Sequence, residues 1–319
     1  MASTPVALGS AYRDFSRAAQ GRSPLYVELA DGVAQDNEIL SLVASLPLEK
    51  QQPNLLLGAV KYLYGVARDF AHFRALVLAH WEAISALMQV RRTQTNEPAR
   101  CATLLPALAH LKQPLALLEV GASAGLCLYP DCYGYDYGKQ RIAPPTSLAP
   151  VFRCAVNAAT PIPTRHVEVV WRAGLDLNPL NCLDENDARW LQALVWPGEG
   201  DRERQLAQAL AIVRADPPRI VRGDLRWDLK RLATEAPPGA TLVIFHSAVL
   251  NYVRDPSERS DFATAVGATG AEWIAQEDPD IFATDNQRSW PAGSFFLLTR
   301  NGRLLARAES HGASLEWLV

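Results

Sequence analysis

The most informative stretch of this chain is LALLEVGASAGLCLY, residues 115–129. An apolar run leads into the small residues Gly121-Ala122-Ser123-Ala124-Gly125, and a second apolar run follows. This pattern predicts a buried strand, a tight glycine turn and the first turn of a helix. Small residues let a backbone approach a ligand, and the N–H groups of a helix N-terminus would face it. The same letters match G-x-S-x-G, which exposes a serine nucleophile in α/β-hydrolases, so two chemistries stay open.

The composition limits the class of protein. The chain has 319 residues, of which 49% are hydrophobic, enough for one large domain or two ordinary ones. Its formal net charge of −3 predicts no nucleic-acid or membrane partner, and a small-molecule substrate is the default expectation. The N-terminus lacks the apolar core of a signal peptide. The 5 scattered cysteines predict reduced thiols in a cytoplasmic protein and no metal site.

Residues 1–112 are predicted to form an all-helical cap region. Apolar positions recur there at helical spacing, and prolines interrupt the pattern where helices start or stop. The segments with this spacing are SPLYVELADGVAQDNEILSLVASL, PNLLLGAVKYLYGVA and, as one helix, FAHFRALVLAHWEAISALMQV.

Residues 113–319 are predicted to form an α/β core. Short apolar runs alternate there with amphipathic stretches, which favours a mainly parallel sheet covered by helices on both faces. Asn301-Gly302 is a hairpin signal between the last two runs, so the sheet should end in an antiparallel pair. Residues 133–166 are predicted to be an inserted loop with a short strand around VFRCAV. The apolar runs are LALLEVG (115–121), VEVVWRAGLDL (167–177), RIVRGDL (219–225), TLVIFHS (241–247), AEWIAQE (271–277), SFFLLTR (294–300) and RLLARAES (303–310).

Glu119 lies at the carboxyl end of the first predicted strand, where a buried acidic side chain is costly unless it has a role. With the turn it forms E-x-G-x-S-x-G. This string resembles the E/D-x-G-x-G-x-G motif of class I S-adenosylmethionine-dependent methyltransferases, with Ser123 in place of the middle glycine. The resemblance implies a Rossmann-like sheet of seven strands that closes with a hairpin. It also implies that Glu119, Gly121, Ser123 and Gly125 hold the methionine end of S-adenosylmethionine.

The same resemblance covers about residues 113–319 and implies two more cofactor-binding residues. In that family the second strand ends in an acid that holds the ribose hydroxyls, and Asp176 in GLDLNP has this position. The third strand is commonly followed by an acid near the adenine amino group, and Asp224 in VRGDL has that position.

The fourth strand of the family usually carries catalytic or substrate-binding residues, and here it leads into FHSAVLNY, residues 245–252. His246 and Tyr252 are therefore catalytic candidates, and Asn251 is a substrate-binding candidate. His246 could be a general base with a pKa near neutrality, or equally a buried histidine hydrogen-bonded to its surroundings. Tyr133, in the inserted loop, could line an aromatic pocket that binds substrate, or could anchor the loop.

RRTQTNEPARC, residues 91–101, concentrates charged and amide side chains between two apolar helical stretches. One interpretation is a capped, solvent-exposed turn before a helix that begins near Pro98. The other is that the segment closes over the cofactor pocket and binds substrate through Arg92, Gln94 and Asn96.

Nearly the whole chain also resembles an uncharacterised bacterial family, domain of unknown function 2332. This resemblance implies little about activity. The peptides that carry it are PNLLLGAVKYL, RRTQTNEPARC, EVGASAGL, GLDLNPL, LVWPG and FHSAVLNY.

Two other functions stay open. A serine hydrolase would use Ser123 as nucleophile, with Asp224 or Asp255 and then His311, in the chain order of α/β-hydrolases. Those enzymes have several strands before the nucleophile, whereas Ser123 follows the first strand here, and Glu119 would have no role. A non-catalytic Rossmann-like binding protein would keep the fold and contact a partner through its helical region. A dinucleotide-binding fingerprint is not met, because G-x-G-x-x-G does not fit the turn.

Overall fold

The computed structural model describes residues 5–94, 96–282 and 295–319. Within these ranges, none of the helices combines the length and the apolar character needed to cross a bilayer. In chain order the helices are α1 Pro5–Ala19, α2 Pro24–Val33, α3 Asn37–Ala44, α4 Pro53–Tyr64, α5 Phe70–Ala79, α6 Trp81–Val90, α7 Cys101–Ala109, α8 Glu185–Ala193, α9 Gly200–Ala215, α10 Leu229–Ala233 and α11 Pro256–Gly267. Short 3-10 turns lie at Leu48–Lys50, Pro98–Arg100, Leu126–Leu128, Leu250–Tyr252 and Pro279–Phe282.

The strands are short in the inserted segment and longer elsewhere. In chain order they are β1 Leu115–Val120, β2 Gly134–Asp136, β3 Arg141–Ile142, β4 Val151–Arg153, β5 Ala155–Val156, β6 Val169–Asp176, β7 Arg219–Arg222, β8 Thr241–Ser247, β9 Glu272–Glu277, β10 Phe295–Arg300, β11 Arg303–Glu309 and β12 Ser314–Trp317.

The chain divides into two compact units, and each unit is built from two separate segments of the chain. The first comprises Met1–Thr95 and Leu183–Ala207, and the second comprises Asn96–Cys182 and Gln208–Val319. The predicted division near residue 112, into a helical cap region and an α/β core, stays a prediction.

The first unit is helical where it is described, as the periodicity predicts. Side-chain caps set where its helices begin: Asp36 accepts the N–H groups of Glu38 and Ile39 at the start of α3, and Asp69 caps α5. The segment predicted as one helix over FAHFRALVLAHWEAISALMQV is instead α5 and α6. His80 separates them, because its φ of −129° is not helical and its ring stacks on Tyr64 with centroids 4.7 Å apart.

The second unit is built on one large sheet with the strand order β5-β12-β11-β10-β9-β8-β1-β6-β7. The neighbours from β7 through β6, β1 and β8 to β9 pair in parallel, and β9 to β12 pair antiparallel. The structure therefore confirms an α/β protein with an N-terminal helical region and a mostly parallel sheet that has antiparallel strands at its end. Within the described residues this sheet has 9 strands rather than seven, because β12 and the short β5 extend one edge.

The hairpin between β10 and β11 forms as predicted from Asn301-Gly302. Both residues have positive φ, 50° at Asn301 and 77° at Gly302, which matches the right-handed twist of the flanking strands. The inserted segment is more regular than a loop. Its strands β2, β3 and β4 form a separate three-stranded sheet, and the predicted strand around VFRCAV corresponds to β4 and β5.

β1 is the central strand of the core, and all of its residues are buried. On one face, Leu118 and Val120 pack with Ile244 of β8 and with Phe262 and Val266 of α11. Burial on both faces explains why the segment is apolar apart from one residue, Glu119.

The turn after β1 packs closely against β6, and a glycine makes this possible. A Cβ atom added at Gly174 would lie 2.5 Å from the Cβ of Ala122, so the turn would have to shift. We therefore expect Gly174→Ala to lower the free energy of unfolding by about 1–3 kcal/mol, as overpacking does. Urea unfolding followed by circular dichroism measures this change. Gly267→Ala is the matched control, since no atom lies within 4 Å of its added Cβ, and unchanged or higher stability is expected there. Equal stability of the two variants would contradict the proposed packing.

Candidate functional site

The candidate site lies at the carboxyl edge of the parallel strands in the second unit. From β1 the chain continues to β6 and β7 on one side, whereas β8 and β9 lie on the other side. The loops after β1 and β8 therefore diverge. In open α/β sheets, ligands bind in the crevice at such a switch point.

Glu119 is buried at this edge, with 4% of its surface exposed. Its register neighbours are Gly174 of β6 and Phe245 of β8, neither of which offers a polar side chain. The Oε2 atom has no hydrogen-bond partner among the described residues. Burial raises the pKa of Glu119 well above its ordinary value, the neighbouring Cys127 and Asp176 add to the rise, and only Arg100 opposes it. An unpartnered buried carboxyl group favours a proton or a bound cation.

The glycine turn has the conformation that its small residues predict. Gly121, Ser123 and Gly125 have φ values of 73°, 51° and 75°. Glycine at 121 is also required by space, because a Cβ there would lie 2.3 Å from Cγ2 of Val249. The N–H of Gly121 donates to the Leu175 carbonyl at 2.7 Å, which ties the turn to β6.

Asp176 fastens the turn to the end of β6. Its Oδ2 accepts the N–H of Ser123 at 2.8 Å, and its Oδ1 accepts the N–H of Asn178 at 2.7 Å. Each carboxylate oxygen keeps a second lone pair for a ligand hydroxyl. Asp176 thus lies at the predicted place beside Glu119, although both of its oxygens already hold the backbone.

The prediction of an α-helix directly after Gly125 is wrong. Only the 3-10 turn Leu126–Leu128 follows, so the glycine turn itself does not lead into the N-terminus and dipole of an α-helix. The side chain of Asn96 forms hydrogen bonds with the backbone of this turn. Its Nδ2 donates to the Ala122 carbonyl at 2.9 Å, and its Oδ1 accepts the N–H of Leu126 at 3.0 Å. The side chain predicted to bind substrate therefore clamps the turn with both ends of its amide.

His246 is the penultimate residue of β8 and is completely buried. Its Nδ1 lies 2.6 Å from Oε1 of Glu277, and its Nε2 lies 2.9 Å from the indole nitrogen of Trp273. An indole N–H can only donate, so Nε2 is the acceptor and Nδ1 carries the proton that it donates to Glu277. Both ring nitrogens are occupied, which is the arrangement of the buried histidine rather than that of a free general base.

Glu277 in turn shapes the loop after β8. Its two carboxylate oxygens accept the N–H groups of Val249 at 2.9 Å and Leu250 at 3.2 Å. The loop then presents Asn251 and Tyr252 to solvent, and Tyr252 is 73% exposed. These two predicted residues lie on the neighbouring strand's loop, beside the glycine turn that Val249 touches.

Asp224 lies at the surface after β7 and is engaged in an ion pair. Its Oδ2 accepts from Nη2 of Arg226 at 2.5 Å, and Arg226 also pairs with Glu258. These hydrogen bonds from Arg226 lower the pKa of Asp224. An adenine amino group would have to share this carboxylate with Arg226.

Tyr133 is fully buried, and its hydroxyl donates to the Leu126 carbonyl at 2.7 Å. Its ring packs edge-to-face on Phe152 of β4. This geometry matches an anchor for the inserted segment, the alternative to a pocket wall. Arg92 and Gln94 belong to the first unit, where the Arg92 carbonyl accepts from the Trp190 indole at 2.9 Å, and their role in substrate binding stays a prediction.

The components of a serine hydrolase are not assembled. The Ser123 hydroxyl is buried and has no hydrogen-bond partner within the described part of the chain. Asp224 is paired with Arg226, and Asp255 caps α11 through the N–H of Ser257. The Nδ1 of His311 lies 3.0 Å from the Ser310 hydroxyl.

Two site residues escaped the sequence prediction. Gln276 and Glu277 end β9, are completely buried, and lie beside the end of β8. The signal that could have found them is the one that identified Glu119, a polar residue closing an otherwise apolar run, here AEWIAQE.

The fold and this edge define an α/β protein with a buried polar site at the carboxyl ends of its central strands. The chain belongs to the family described as "Uncharacterized protein conserved in bacteria (DUF2332)", whose model matches residues 9–317. No curated protein and no solved structure matches the chain. Among residues 5–94, 96–282 and 295–319, no group of three His, Cys, Asp or Glu side chains is arranged to hold a metal ion.

The burial of Glu119 predicts a pH-dependent effect on stability. Its pKa is raised in the folded chain, so the folded state holds the proton more tightly than the unfolded state does. Stability therefore falls as pH rises above the ordinary value of 4.5 toward the raised value. Glu119→Gln removes this loss, and we expect the variant to gain on the wild type by up to about 1.4 kcal/mol per pH unit in that window.

Urea unfolding at about pH 5 and about pH 8 measures the difference between variant and wild type. Glu168→Gln, a change at an exposed residue just before β6, should give a difference that does not grow with pH. A pH-independent difference for Glu119→Gln would contradict a raised pKa at that residue.

Proposed function

We propose that this protein is an S-adenosylmethionine-binding, methyltransferase-like protein with a Rossmann-like core that acts on a small molecule. The observation that carries the proposal is the buried carboxyl group of Glu119, which lacks a partner at the switch point of the sheet. A natural protein retains such a group when a ligand completes it. A ligand with a cationic centre would ionise Glu119 and satisfy it.

Several features of the turn fit this cofactor. The left-handed conformations at Gly121, Ser123 and Gly125 keep the backbone close to the crevice without bulky side chains. The Ser123 hydroxyl is a second buried polar atom without a partner within the described residues. Asp176 lies beside the turn with lone pairs left for hydroxyl groups.

Other features limit which roles the residues take. No α-helix begins directly after the glycine turn, so in this proposal the side chains around the turn, rather than a helix dipole there, stabilise the ligand. Asp224 is paired with Arg226, so an adenine amino group would have to compete with that ion pair. Val249 lies over Gly121 and would define one wall of the pocket.

When bound, S-adenosylmethionine supplies an activated methyl group. The chain's own contribution is to hold the two reactants together and to exclude water. His246 acts in this proposal through Glu277, whose carboxylate fixes the loop after β8. It is therefore a positioning residue, and Tyr252 on that loop is the exposed candidate for contact with the acceptor.

A non-catalytic binding protein is the second candidate. The occupied nitrogens of His246 favour it, because a histidine engaged at both ring nitrogens cannot act as a free general base. Cofactor binding alone does not separate the two candidates. Formation of S-adenosylhomocysteine during incubation with candidate acceptors does.

Isothermal titration of the full chain with S-adenosylmethionine tests the proposal. The cation must displace the proton on Glu119, so we expect affinity to rise with pH as long as Glu119 is protonated in the free protein, by up to about tenfold per pH unit. Glu119→Gln should lose at least about tenfold in affinity together with this pH dependence.

Glu168→Gln should bind as the wild type does, because its side chain is exposed. Absence of binding at millimolar cofactor would remove the proposal. Asp176→Ala is a poor test of ribose contact, since it also releases the N–H of Ser123 from its hydrogen bond.

A further inference from the structure

Arg100 is a buried cation at the same edge of the sheet, with 6% of its surface exposed. Its Nε donates to the Ser310 carbonyl at 2.8 Å, and its Nη1 donates to the Ser247 carbonyl at 3.3 Å. The guanidinium carbon lies 5.3 Å from the centre of the Phe296 ring. No carboxylate of the described residues forms an ion pair with it.

A buried guanidinium without a counter-ion is costly, because two carbonyl groups and a ring replace only part of its hydration. Glu119 does not neutralise it. The Arg100 charge lowers the pKa of Glu119, but burial outweighs that effect and keeps the carboxyl group's pKa high. Arg100 therefore has no ion-pair partner among the described carboxylates and has N–H donors to spare, since a guanidinium has five and the two carbonyl groups take two of them.

Two further buried polar groups without partners belong to residues linked to Arg100, Ser247 through its carbonyl and Gln276 through the Thr103 hydroxyl. The Ser247 hydroxyl and the Nε2 of Gln276 have no hydrogen-bond partner within the described chain. Ser247 and Gln276 are register partners on β8 and β9, so their side chains lie on the same face of the sheet. The Thr103 hydroxyl, on α7, lies 2.8 Å from both the Arg100 carbonyl and Oε1 of Gln276. Its single proton, donated to Oε1, fixes the Gln276 side chain with Nε2 as the atom left to donate to a ligand.

We propose that Arg100, Ser247 and Gln276 form a buried subsite for the carboxylate of a small organic acid. The planar guanidinium fork matches a planar carboxylate, and hydroxyl and amide groups supply the remaining donors. One cation beside neutral donors balances a single negative charge better than the larger charge of a phosphate group.

This subsite is displaced from the one assigned to the cofactor. β8 and β9 lie one and two strands from β1, at about 4.8 Å per strand. Ser247 is also two register positions beyond Phe245, the neighbour of Glu119. The organic acid can therefore bind as the second reactant beside the methionine end. This assignment of its role rests on the proposed function, whereas the subsite itself does not.

Thermal-shift and calorimetric titrations with acetate, succinate and benzoate test the subsite, with inorganic phosphate and sodium chloride at matched ionic strength as comparison arms. At least one carboxylate should stabilise the wild type in a saturable way, and more than phosphate does. Stabilisation by none of the three, or by phosphate alone, would overturn the carboxylate assignment.

Gln276→Glu is the sharpest variant. The new carboxylate keeps an acceptor for Thr103 and places a negative charge beside Arg100, so it mimics the ligand. We expect at least a tenfold loss of carboxylate affinity without a lower melting temperature. Gln20→Glu makes the same charge change at an exposed position and should bind as the wild type does. Equal binding by Gln276→Glu and the wild type would overturn the proposal.

Ser247→Ala is a second variant, chosen because it removes a hydroxyl without a partner and leaves the carbonyl that Arg100 holds. A several-fold loss of affinity supports the subsite, and unchanged affinity contradicts a role for the hydroxyl. Titration in the presence of S-adenosylmethionine then separates the two proposals. Simultaneous binding supports a second reactant, and mutual exclusion overturns that role. Binding of a carboxylate by a protein that does not bind S-adenosylmethionine leaves the subsite standing and removes the proposed function.

Discussion

The close attachment of the glycine turn to the end of β6 is the constraint on which the site depends. Asp176 accepts the N–H of Ser123 from one side, and Asn96 holds the Ala122 carbonyl from the other. Gly174 leaves the space into which Ala122 packs. Held in this way, the turn covers Glu119 closely enough to bury it and still leaves its Oε2 without a partner. A looser turn would admit water to the carboxyl group, and the raised pKa would disappear with its cause.

Two buried acids at the carboxyl ends of the strands, Glu277 of β9 and Glu119 of β1, differ in their hydrogen-bond partners. Glu277 is surrounded by donors, since the N–H groups of Val249 and Leu250 and the ring of His246 all point at it. Glu119 has none of these partners among the described residues. The first acid therefore has its partners within the fold, whereas the second has none among the described residues. The proposed ligand at Glu119 rests on this contrast between two acids that lie two strands apart.

The sequence predicts the main sheet well and the site only in part. The apolar runs locate β1, β6 and β8 to β11 to within two residues, because burial on both faces demands continuous apolar segments. The break at His80 and the 3-10 turn after Gly125 depend on tertiary contacts that periodicity does not contain. Glu119 could be singled out from the sequence because burying an acidic side chain at the end of an apolar strand costs free energy. The hydrogen bonds that occupy His246 were not, since their partners lie about thirty residues away on β9.

Two buried groups of opposite potential charge, Glu119 and Arg100, lie at one edge without forming an ion pair with each other. Direct pairing would satisfy both in the absence of any ligand. Arg100 instead donates to the Ser247 and Ser310 carbonyls. Under the two proposals, this region binds a cation at one end and an anion at the other. Ligands that bring both charges, on one molecule or on two, gain the interaction that the protein's own side chains do not make.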